Sequence, residues 1–414
     1  MKKNTLLSIM NNQNGVTAIV VGVSLFALVG FAALAIDTSH IYVARNELKN
    51  AADAGALAGA LVLYNNNGTA VNQDANQDAF NVATANESDG LAVEVNWTGG
   101  NTGDVQRGHW SFATGEFTPN DSLAPVDLWN VPSYYLDANP NFINAVRVVA
   151  RREATPAGSF FARIFGHDGF QLSAESIAYR GFTGTLPPHE VDQPIAICEE
   201  SIRIDGEYSC NIGRMISSGE NEAGNETGGW TSFSQDDPCT GGTNAQEVSD
   251  LICGDGNPET LRHGAFMATN GGEIQSAFDK LITCWDEANE GRTEPWNLTL
   301  PVVSCSGNNM GPCEEYVGTV NVNIIWITEA GEDPQYRDVP TEMGDWECSD
   351  PDGGAACWDE FVDNFELLNA DNASPAPYEK KTIYFLADCT YHDPAGASDG
   401  QNFGIMARIP VLVK

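Results

Sequence analysis

Charged side chains are missing from one long stretch near the start of this sequence, and basic side chains are scarce everywhere. Residues 16–36 contain no Asp, Glu, Lys or Arg, and the whole chain has 20 Lys and Arg against 57 Asp and Glu, a formal net charge of −37. Such a charge repels nucleic acid and anionic lipid headgroups, because both are negative themselves. A nucleic-acid partner is therefore excluded.

The sequence also lacks the motifs of common hydrolases and metalloenzymes. No H-E-x-x-H, G-x-S-x-G or C-x-x-C pattern occurs, which argues against a zinc protease, a serine hydrolase and a zinc or c-type haem site. The six histidines are scattered, and only His392 lies close to other reactive types, Asp393 and Cys389. Paired carboxylates such as Glu199 and Glu200 carry little information in so acidic a chain. We expect no catalytic residues, no metal site and no enzyme activity.

Cysteine is absent from residues 1–184, whereas residues 185–414 hold all ten cysteines and 41 acidic side chains against 10 basic ones. An even number of cysteines, in a segment expected outside the cytoplasm, predicts five disulfides. Sequence does not fix their pairing, but loop closure favours the short spans Cys198/Cys210, Cys305/Cys313 and Cys348/Cys357. The ten candidates are Cys198, Cys210, Cys239, Cys253, Cys284, Cys305, Cys313, Cys348, Cys357 and Cys389.

The uncharged stretch is long enough to cross a membrane as a helix. Its 21 residues would span roughly 31 Å, close to the hydrocarbon thickness of a bilayer. Lys2 and Lys3 precede it, so we expect a cytoplasmic N-terminus and a periplasmic or extracellular bulk after Asp37. The alternative is a cleaved signal peptide, for which Ala33 and Ala35 supply a weak A-x-A site.

The helical pattern continues beyond the uncharged stretch with unusually small side chains. Ala52, Gly55, Ala56 and Gly59 recur at helical spacing, and Gly22 and Gly30 extend the pattern back into the apolar run. Small side chains let another backbone approach closely. The segment is either a plain stem of low bulk or a helix that packs against partner helices in an assembly.

These residues carry a family resemblance. The segment from Gly15 through Asp37 and Asp53 to Ala60, together with residues 144–152, 160–166 and 173–178, resembles the N-terminal region of TadG-like proteins of the Flp/Tad (tight adherence) pilus-assembly system. Within it the matching positions are Gly15, Ala35, Ile36, Asp37, Ile41, Tyr42, Arg45, Leu48, Ala51, Ala52, Asp53, Ala54, Ala56, Leu57, Ala58, Gly59 and Ala60. The resemblance covers about residues 15–181, under half of the chain.

The resemblance implies a single-pass protein of the bacterial inner membrane, exposed to the envelope, that acts by association with other pilus-assembly proteins. It implies no catalytic residues. A prepilin-like start would carry Glu where this chain has Val20, so peptidase processing at Gly15 is not expected. The D-x-S-x-S signature of the metal-binding von Willebrand A domain is absent as well.

The predicted fold class is α+β, with four segments along the chain. These are a cytoplasmic leader at 1–14, a transmembrane helix and helical stem at 15–63, a TadG-like α+β domain with a small antiparallel sheet at 64–184, and an acidic, disulfide-rich, mainly β domain at 185–414. Helical spacing predicts helices over 69–86, 160–165 and 274–284. Alternation predicts strands over 91–97, 109–112, 116–118, 145–150, 170–179, 195–198, 298–303, 316–328, 381–386 and 403–413.

A second function stays open at this point, a surface adhesin or ligand-binding protein that uses the acidic domain. Five tryptophans could line a carbohydrate-binding face: Trp230, Trp285, Trp296, Trp346 and Trp358. Residues 350–354 and 255–259 place oxygen ligands on tight turns that would suit Ca²⁺, although neither has the EF-hand pattern. The partner of the acidic domain, any small-molecule ligand and the oligomeric state are not encoded in a recognisable motif.

Overall fold

The structure of this chain is a computed structural model. It describes residues 13–65, 70–124, 131, 133–203, 213–217, 227–236, 239, 241–272, 274–289, 291–306, 309–328, 336–350, 353–369, 373–388 and 395–414. Most of the predicted leader, the candidate disulfide residues Cys210 and Cys389, and His392 lie outside the described residues.

Helices dominate the start of the chain and strands the remainder. The α-helices are α1 (Gln13–Leu61), α2 (Ala75–Thr84), α3 (Ser133–Asp137), α4 (Ala245–Leu251), α5 (Gln275–Asn289) and α6 (Ala355–Asn364), with short 3-10 helices at Ala162–Phe165 and Glu199–Ile202. The strands are β1 (Glu87–Ser88), β2 (Leu91–Ala92), β3 (Val105–Ser111), β4 (Glu116–Pro119), β5 (Ala145–Gly158), β6 (Gly169–Tyr179), β7 (Phe182–Thr183), β8 (Ile195–Cys198), β9 (Gly213–Ser217), β10 (Gly228–Thr231), β11 (Phe266–Asn270), β12 (Trp296–Ser304), β13 (Cys313–Ile327), β14 (Glu342–Met343), β15 (Trp346–Glu347), β16 (Thr382–Ala387), β17 (Ala395–Gly400), β18 (Ala407–Ile409) and β19 (Val411–Leu412). The predicted α+β class is confirmed.

Helix α1 is a single helix of 49 residues. It passes Asp37 without a break, which is consistent with the absence of proline before Pro119. The apolar run and the small-residue stem are thus one rigid element.

A five-stranded antiparallel sheet packs against the second half of α1. Its strand order is β19-β6-β5-β3-β4. Alanine and valine side chains from β5 and β6 form its core with the stem and α2, among them Val146, Val148 and Ala178, which are fully buried. The strands predicted over 109–112 and 116–118 are confirmed and form the β3–β4 hairpin, and Gly115 takes the positive φ of 67° that its turn requires.

The strand predicted over residues 91–97 is largely wrong. Only Leu91–Ala92 forms a strand, paired with Glu87–Ser88. Beyond it, Glu94 makes a single bridge to Arg151, and its carboxylate accepts hydrogen bonds from the amides of Ala154 and Thr155. Glu94 is thus fixed beside β5 by one bridge and its side chain, without a continuous strand pairing.

A seven-stranded mixed sheet organises the second half of the chain, in the order β11-β10-β8-β12-β13-β16-β9. Strand β13 is its longest strand and pairs with β12, β16 and β11; its Val320, Val322 and Ile324 are fully buried, as alternation predicted. An additional pairing between β11 and the start of β13 closes five of the strands into a ring. This confirms a mainly β arrangement for the cysteine-bearing part.

Four disulfides lie within the described residues: Cys198–Cys305, Cys239–Cys313, Cys253–Cys284 and Cys348–Cys357. Only the last of the three predicted short spans is correct; Cys198/Cys210 and Cys305/Cys313 are wrong. Parallel pairing sets the first bond, because β8 and β12 place Val303 opposite Cys198. The pairing of the cysteines therefore follows the strand register, because the entropic advantage of closing a short loop is small.

The single strand predicted at 403–413 is divided. Pro410 separates β18, which pairs in parallel with β17, from β19, which pairs antiparallel with β6. Proline has no amide hydrogen to continue a ladder. The five-stranded sheet that begins beside α1 is therefore completed by a strand from far along the chain.

Candidate functional site

The first half of α1 carries apolar side chains that are largely exposed in the described chain. Phe26 and Phe31 are 81% and 71% exposed, and a Cβ added at Gly22 or Gly30 would meet no atom within 4 Å. Gly15 lies in the same helix. Within the described residues, α1 is the one helix with the length and hydropathy to cross a membrane.

Another helix of the same chain, α2, packs against the small residues of the stem. A Cβ at Gly55 would lie 2.8 Å from both the Ala79 oxygen and the Ala83 Cβ, and one at Gly59 would lie 2.9 Å from Val146 Cγ1. Ala52 and Ala56 are likewise fully buried in the core that α1 forms with α2, β5 and β6. The space that the small side chains of Ala52, Gly55, Ala56 and Gly59 leave is thus filled by α2 and β5 of the same chain, and a role for these four residues in assembly stays a prediction.

Asp53 belongs to a polar cluster that fixes the stem to β6. Lys49 Nζ lies 3.1 Å from Asp53 Oδ1 and donates to Ser176 Oγ at 2.9 Å and to the Glu175 carbonyl at 3.0 Å. The Ser176 hydroxyl donates to Asp53 in turn. Asp53 thus has a positioning role between helix and sheet.

Asp37 binds the loop that joins β5 to β6. Its carboxylate is buried, and it accepts hydrogen bonds from three successive amides, those of Phe160 at 2.8 Å, Phe161 at 3.1 Å and Ala162 at 2.6 Å. These amides open the short 3-10 helix, whose N–H groups have no partner within the helix itself. The residue that ends the apolar run therefore attaches a loop more than 120 residues later.

Two further carboxylates of this region are held in their charged form. Burial opposes ionisation of Glu94, but the Thr155 hydroxyl and the amides of residues 153–155 outweigh it and lower its pKa to about 2. Burial likewise opposes ionisation of Glu175, and its contacts with Lys414 at 2.9 Å and Arg147 at 2.7 Å bring its pKa below the usual range. Both groups hold the β5–β6 hairpin in shape.

An apolar cleft of about 600 Å³ opens where β19 joins the sheet. Phe112, Tyr179, Phe182 and Leu412 line it, together with Asp137. The Asp137 carboxylate accepts hydrogen bonds from Ser111 and from the amides of residues 112 and 113, which lower its pKa against the effect of burial. Asp137 is thus engaged in holding a turn.

The tryptophans of the second half serve the core. Trp230, Trp285 and Trp358 are at most 2% exposed, and Trp296 and Trp346 pack against the same cluster. An aromatic binding face built from these five side chains is therefore wrong.

The candidate calcium turn at 255–259 uses its amide side chain internally. Asn257 is fully buried, its oxygen accepts from the amides of Glu190 and Val191, and its nitrogen donates to the carbonyls of Pro187 and Glu259. Among the residues that the structure describes, no group of three or more His, Cys, Asp or Glu is arranged to hold a metal ion. The turn at 350–354 is only partly within them. Calcium binding stays a prediction.

Comparison with known families decides the assignment of the first half. Residues 15–62 match the Flp pilus-assembly TadE/G-like family, and residues 58–178 match the Tad-like Flp pilus-assembly family. Residues 15–178 are therefore a TadG-like Flp/Tad pilus-assembly region, which is under half of the chain. This region holds α1, α2 and most of the five-stranded sheet, including the Asp37 and Asp53 contacts. Comparisons with curated proteins and with solved structures give no match.

Sequence reasoning missed the partner of Asp37 and the exposure of the β5–β6 loop. Residues 160–166 were recognised as part of the family pattern and as a short helix, with no function attached. The available signal was an apolar block, Phe160-Phe161-Ala162-Arg163-Ile164-Phe165, on a segment too short to bury all of it.

Proposed function

We propose that this TadG-like protein is a single-pass, envelope-exposed component of a Flp/Tad-type pilus-assembly or secretion machine and acts by protein–protein association, without turnover. The observation that carries the proposal is the division of α1 into an exposed apolar half and a buried stem. An uncharged run of 21 residues whose apolar side chains are mostly exposed is unfavourable in water, whereas a bilayer of similar thickness would solvate it.

The stem makes the anchor rigid. Because α2 and the β5–β6 hairpin pack directly on the continuation of the same helix, the folded module is attached to the membrane without a flexible linker. A protein built in this way can hold a second component at a fixed height and angle above the bilayer.

Gly22 and Gly30 are the positions where partner helices would approach within the membrane. Neither has a neighbour in the described chain, and both lie in the apolar run. Close packing between helices in lipid favours small residues at the contact.

Membrane insertion and topology can be tested together. We expect a C-terminally tagged chain to stay in the membrane pellet after alkaline extraction, and its bulk to be digested by protease in spheroplasts and not in intact cells. Leu25→Asp with Leu28→Asp should release it, since charge in the hydrocarbon region is costly. Tyr42→Asp, at an exposed position beyond the run, is the matched control and should remain bound. Release of the unmodified chain by alkali would overturn the membrane anchor.

Association can be tested by co-purification with Tad secretion components from membranes in mild detergent. We expect the unmodified chain to retain them and Gly22→Leu with Gly30→Leu to lose most of them. Val20→Leu with Val29→Leu adds bulk to the same run and should leave association intact. Recovery of the unmodified chain without any such component would contradict an assembly role.

The adhesin alternative has less support. Its aromatic face is occupied by the core, although calcium binding or glycan binding by the acidic half would still favour it. Thermal stabilisation of the chain by millimolar Ca²⁺, absent with Mg²⁺, is the measurement that separates the two.

A further inference from the structure

The loop between β5 and β6 presents a cluster of bare apolar side chains. Phe160, Ile164 and Phe165 are 53%, 75% and 81% exposed. Among the described residues outside α1, no large hydrophobic side chain is more exposed than Ile164 and Phe165. A soluble surface seldom leaves such a cluster in water without a function.

Hydrogen bonds fix the height of this loop along α1. Asp37 holds the amides of residues 160–162, and Asp37 immediately follows the apolar run of residues 16–36. The His40 ring lies one helical turn further along and packs edge-on against Phe160 at 5.0 Å between centroids. The loop is therefore attached where the lipid-facing run ends.

The rest of the hairpin extends from this point away from the run. Lys49 reaches the Glu175 carbonyl at 3.0 Å, and Arg180, just beyond β6, donates to the Leu61 carbonyl at 2.9 Å near the other end of the stem. Strands β5 and β6 thus lie alongside the stem with their connecting loop at the end nearest the apolar run.

We propose that residues 159–168 form an interfacial loop that inserts Phe160, Ile164 and Phe165 into the headgroup and upper acyl region of the bilayer. The occupant of this apolar patch is lipid, because the patch continues the apolar surface of α1 at the level where that surface stops. Aromatic rings favour this zone, and the exposed Arg163 can extend its guanidinium to the phosphates. The inference rests on the proposed membrane anchor and adds a second point of contact that sets the tilt and rotation of the module.

The test places one probe at three phenylalanine positions of the full chain. A fluorescent amino acid introduced by codon suppression at Phe165, Phe26 or Phe112 avoids the native cysteines, and the protein is reconstituted alone in nanodiscs of neutral and anionic phospholipid. Phe26 reports on the apolar run, and Phe112 is a matched exposed aromatic at the opposite end of the hairpin, where its ring lies 4.9 Å from Tyr179. Lipids with a doxyl group near the head of the acyl chain quench only probes in the bilayer.

We expect quenching at position 165 to match that at position 26 within a factor of about two, with none at position 112. Quenching at 26 while 165 behaves like 112 would reject the interfacial loop and leave the membrane anchor standing, and would assign the patch to a protein partner. Absence of quenching at both 26 and 165 would reject the loop and the anchor together. Thermal unfolding of each labelled protein verifies that the probe has not disturbed the fold.

Discussion

Two acidic side chains of the TadG-like region bind three consecutive backbone amides each. Asp37 caps residues 160–162 and Glu94 caps residues 153–155. In both places the β5–β6 hairpin departs from a regular ladder, at its loop and at the register shift after Arg152. A carboxylate satisfies such amides better than a neutral group, because charge-assisted hydrogen bonds are the stronger kind.

Removing the Asp37 carboxylate should loosen the loop that it caps. Asp37→Ala leaves three amides without an acceptor, at a cost of about 1–3 kcal/mol. We expect amide hydrogen exchange over residues 160–162 to accelerate by roughly 5- to 150-fold, because the lost free energy raises the equilibrium constant for local opening by that factor. Asp37→Asn keeps one acceptor oxygen and should give an intermediate rate. Unchanged exchange in Asp37→Ala would show that the loop is held by other contacts.

Glu94 should contribute a pH-dependent part of the stability. Its pKa is near 2 in the folded chain against an ordinary value of 4.5. The folded state therefore binds its proton less readily than the unfolded state, so the contribution is complete above pH 5 and is lost as the pH falls toward 2. The unfolding temperature should fall less between pH 6 and pH 3 for Glu94→Gln than for the unmodified chain. An equal difference would contradict the assignment, and Glu116→Gln, at an exposed site, is the control.

Helix α1 shows how one element can serve two surroundings. Its first half has exposed glycines with no neighbour, and its second half has glycines pressed against α2. Amino-acid spacing alone could not separate these two uses, because a small-residue stripe looks the same whether the helix that it receives is in the same chain or in another.

A methyl group should therefore be harmful in the stem and harmless in the apolar run. Gly59→Ala would bring its Cβ to 2.8 Å from Ala79 Cβ and 2.9 Å from Val146 Cγ1. Overpacking of this kind lowers the free energy of unfolding by about 1–3 kcal/mol, and the better helix propensity of alanine offsets about 1 kcal/mol of this loss. Gly30→Ala meets nothing and should be neutral or slightly stabilising. Thermal unfolding in detergent checks both, and equal midpoints would contradict the packing described.

The disulfides should stabilise the fold to different extents, according to the number of residues in the loop that each one closes. Cys198–Cys305 spans 107 residues and Cys348–Cys357 spans 9. In the chain-entropy account, the longer loop is worth roughly 2 kcal/mol more. Replacing Cys198 and Cys305 together by Ala should lower the unfolding midpoint in guanidinium more than replacing Cys348 and Cys357. A larger loss from the short bridge would argue that strain or cavities dominate.

Strong local patterns made much of the fold predictable, while long-range pairing did not. The apolar run, the alternating strand β13 and the Val-rich strand β5 could be predicted, because each keeps one hydrophobic pattern over many residues. The bridge between Cys198 and Cys305 depends on β8 lying parallel to β12, which no local signal encodes. Only part of the candidate site could be predicted, for the same reason. Asp37 was identified by resemblance, whereas the loop that it binds lies over 120 residues away and no local signal connects the two.

At the scale of the whole molecule, Arg180 joins the TadG-like region to the later part of the chain. Its guanidinium donates to the Leu61 carbonyl at the end of α1 and to the Ala407 carbonyl of β18 at 3.0 Å, and it is 5% exposed. A cation is favourable at the carbonyl end of a helix. The acidic half is thus joined to the half that contains α1 by a buried charge.

Arg180→Met should weaken this tie. The methionine fills most of the space but leaves two carbonyls without their donor, which costs about 2–4 kcal/mol when charged hydrogen bonds are lost. We expect a lower unfolding midpoint and faster proteolysis between residues 181 and 190. Arg408→Met, at an exposed position in the same strand as Ala407, should change neither. A midpoint equal to that of the unmodified chain would show that other contacts, such as the β6–β19 and β7–β17 pairings, hold the two halves together.

The pairing of β19 with β6 also bears on how the chain is made. Because Val411 pairs with Tyr179 and Leu412 with Ala178, the outer edge of β6 at its C-terminal end stays unpaired until more than 200 later residues have been synthesised. Until then that edge offers unpaired backbone groups, the usual starting point for mispairing between neighbouring chains. Correct folding in the cell should consequently depend on a holding chaperone during this interval, and copies interrupted before residue 411 should be degraded.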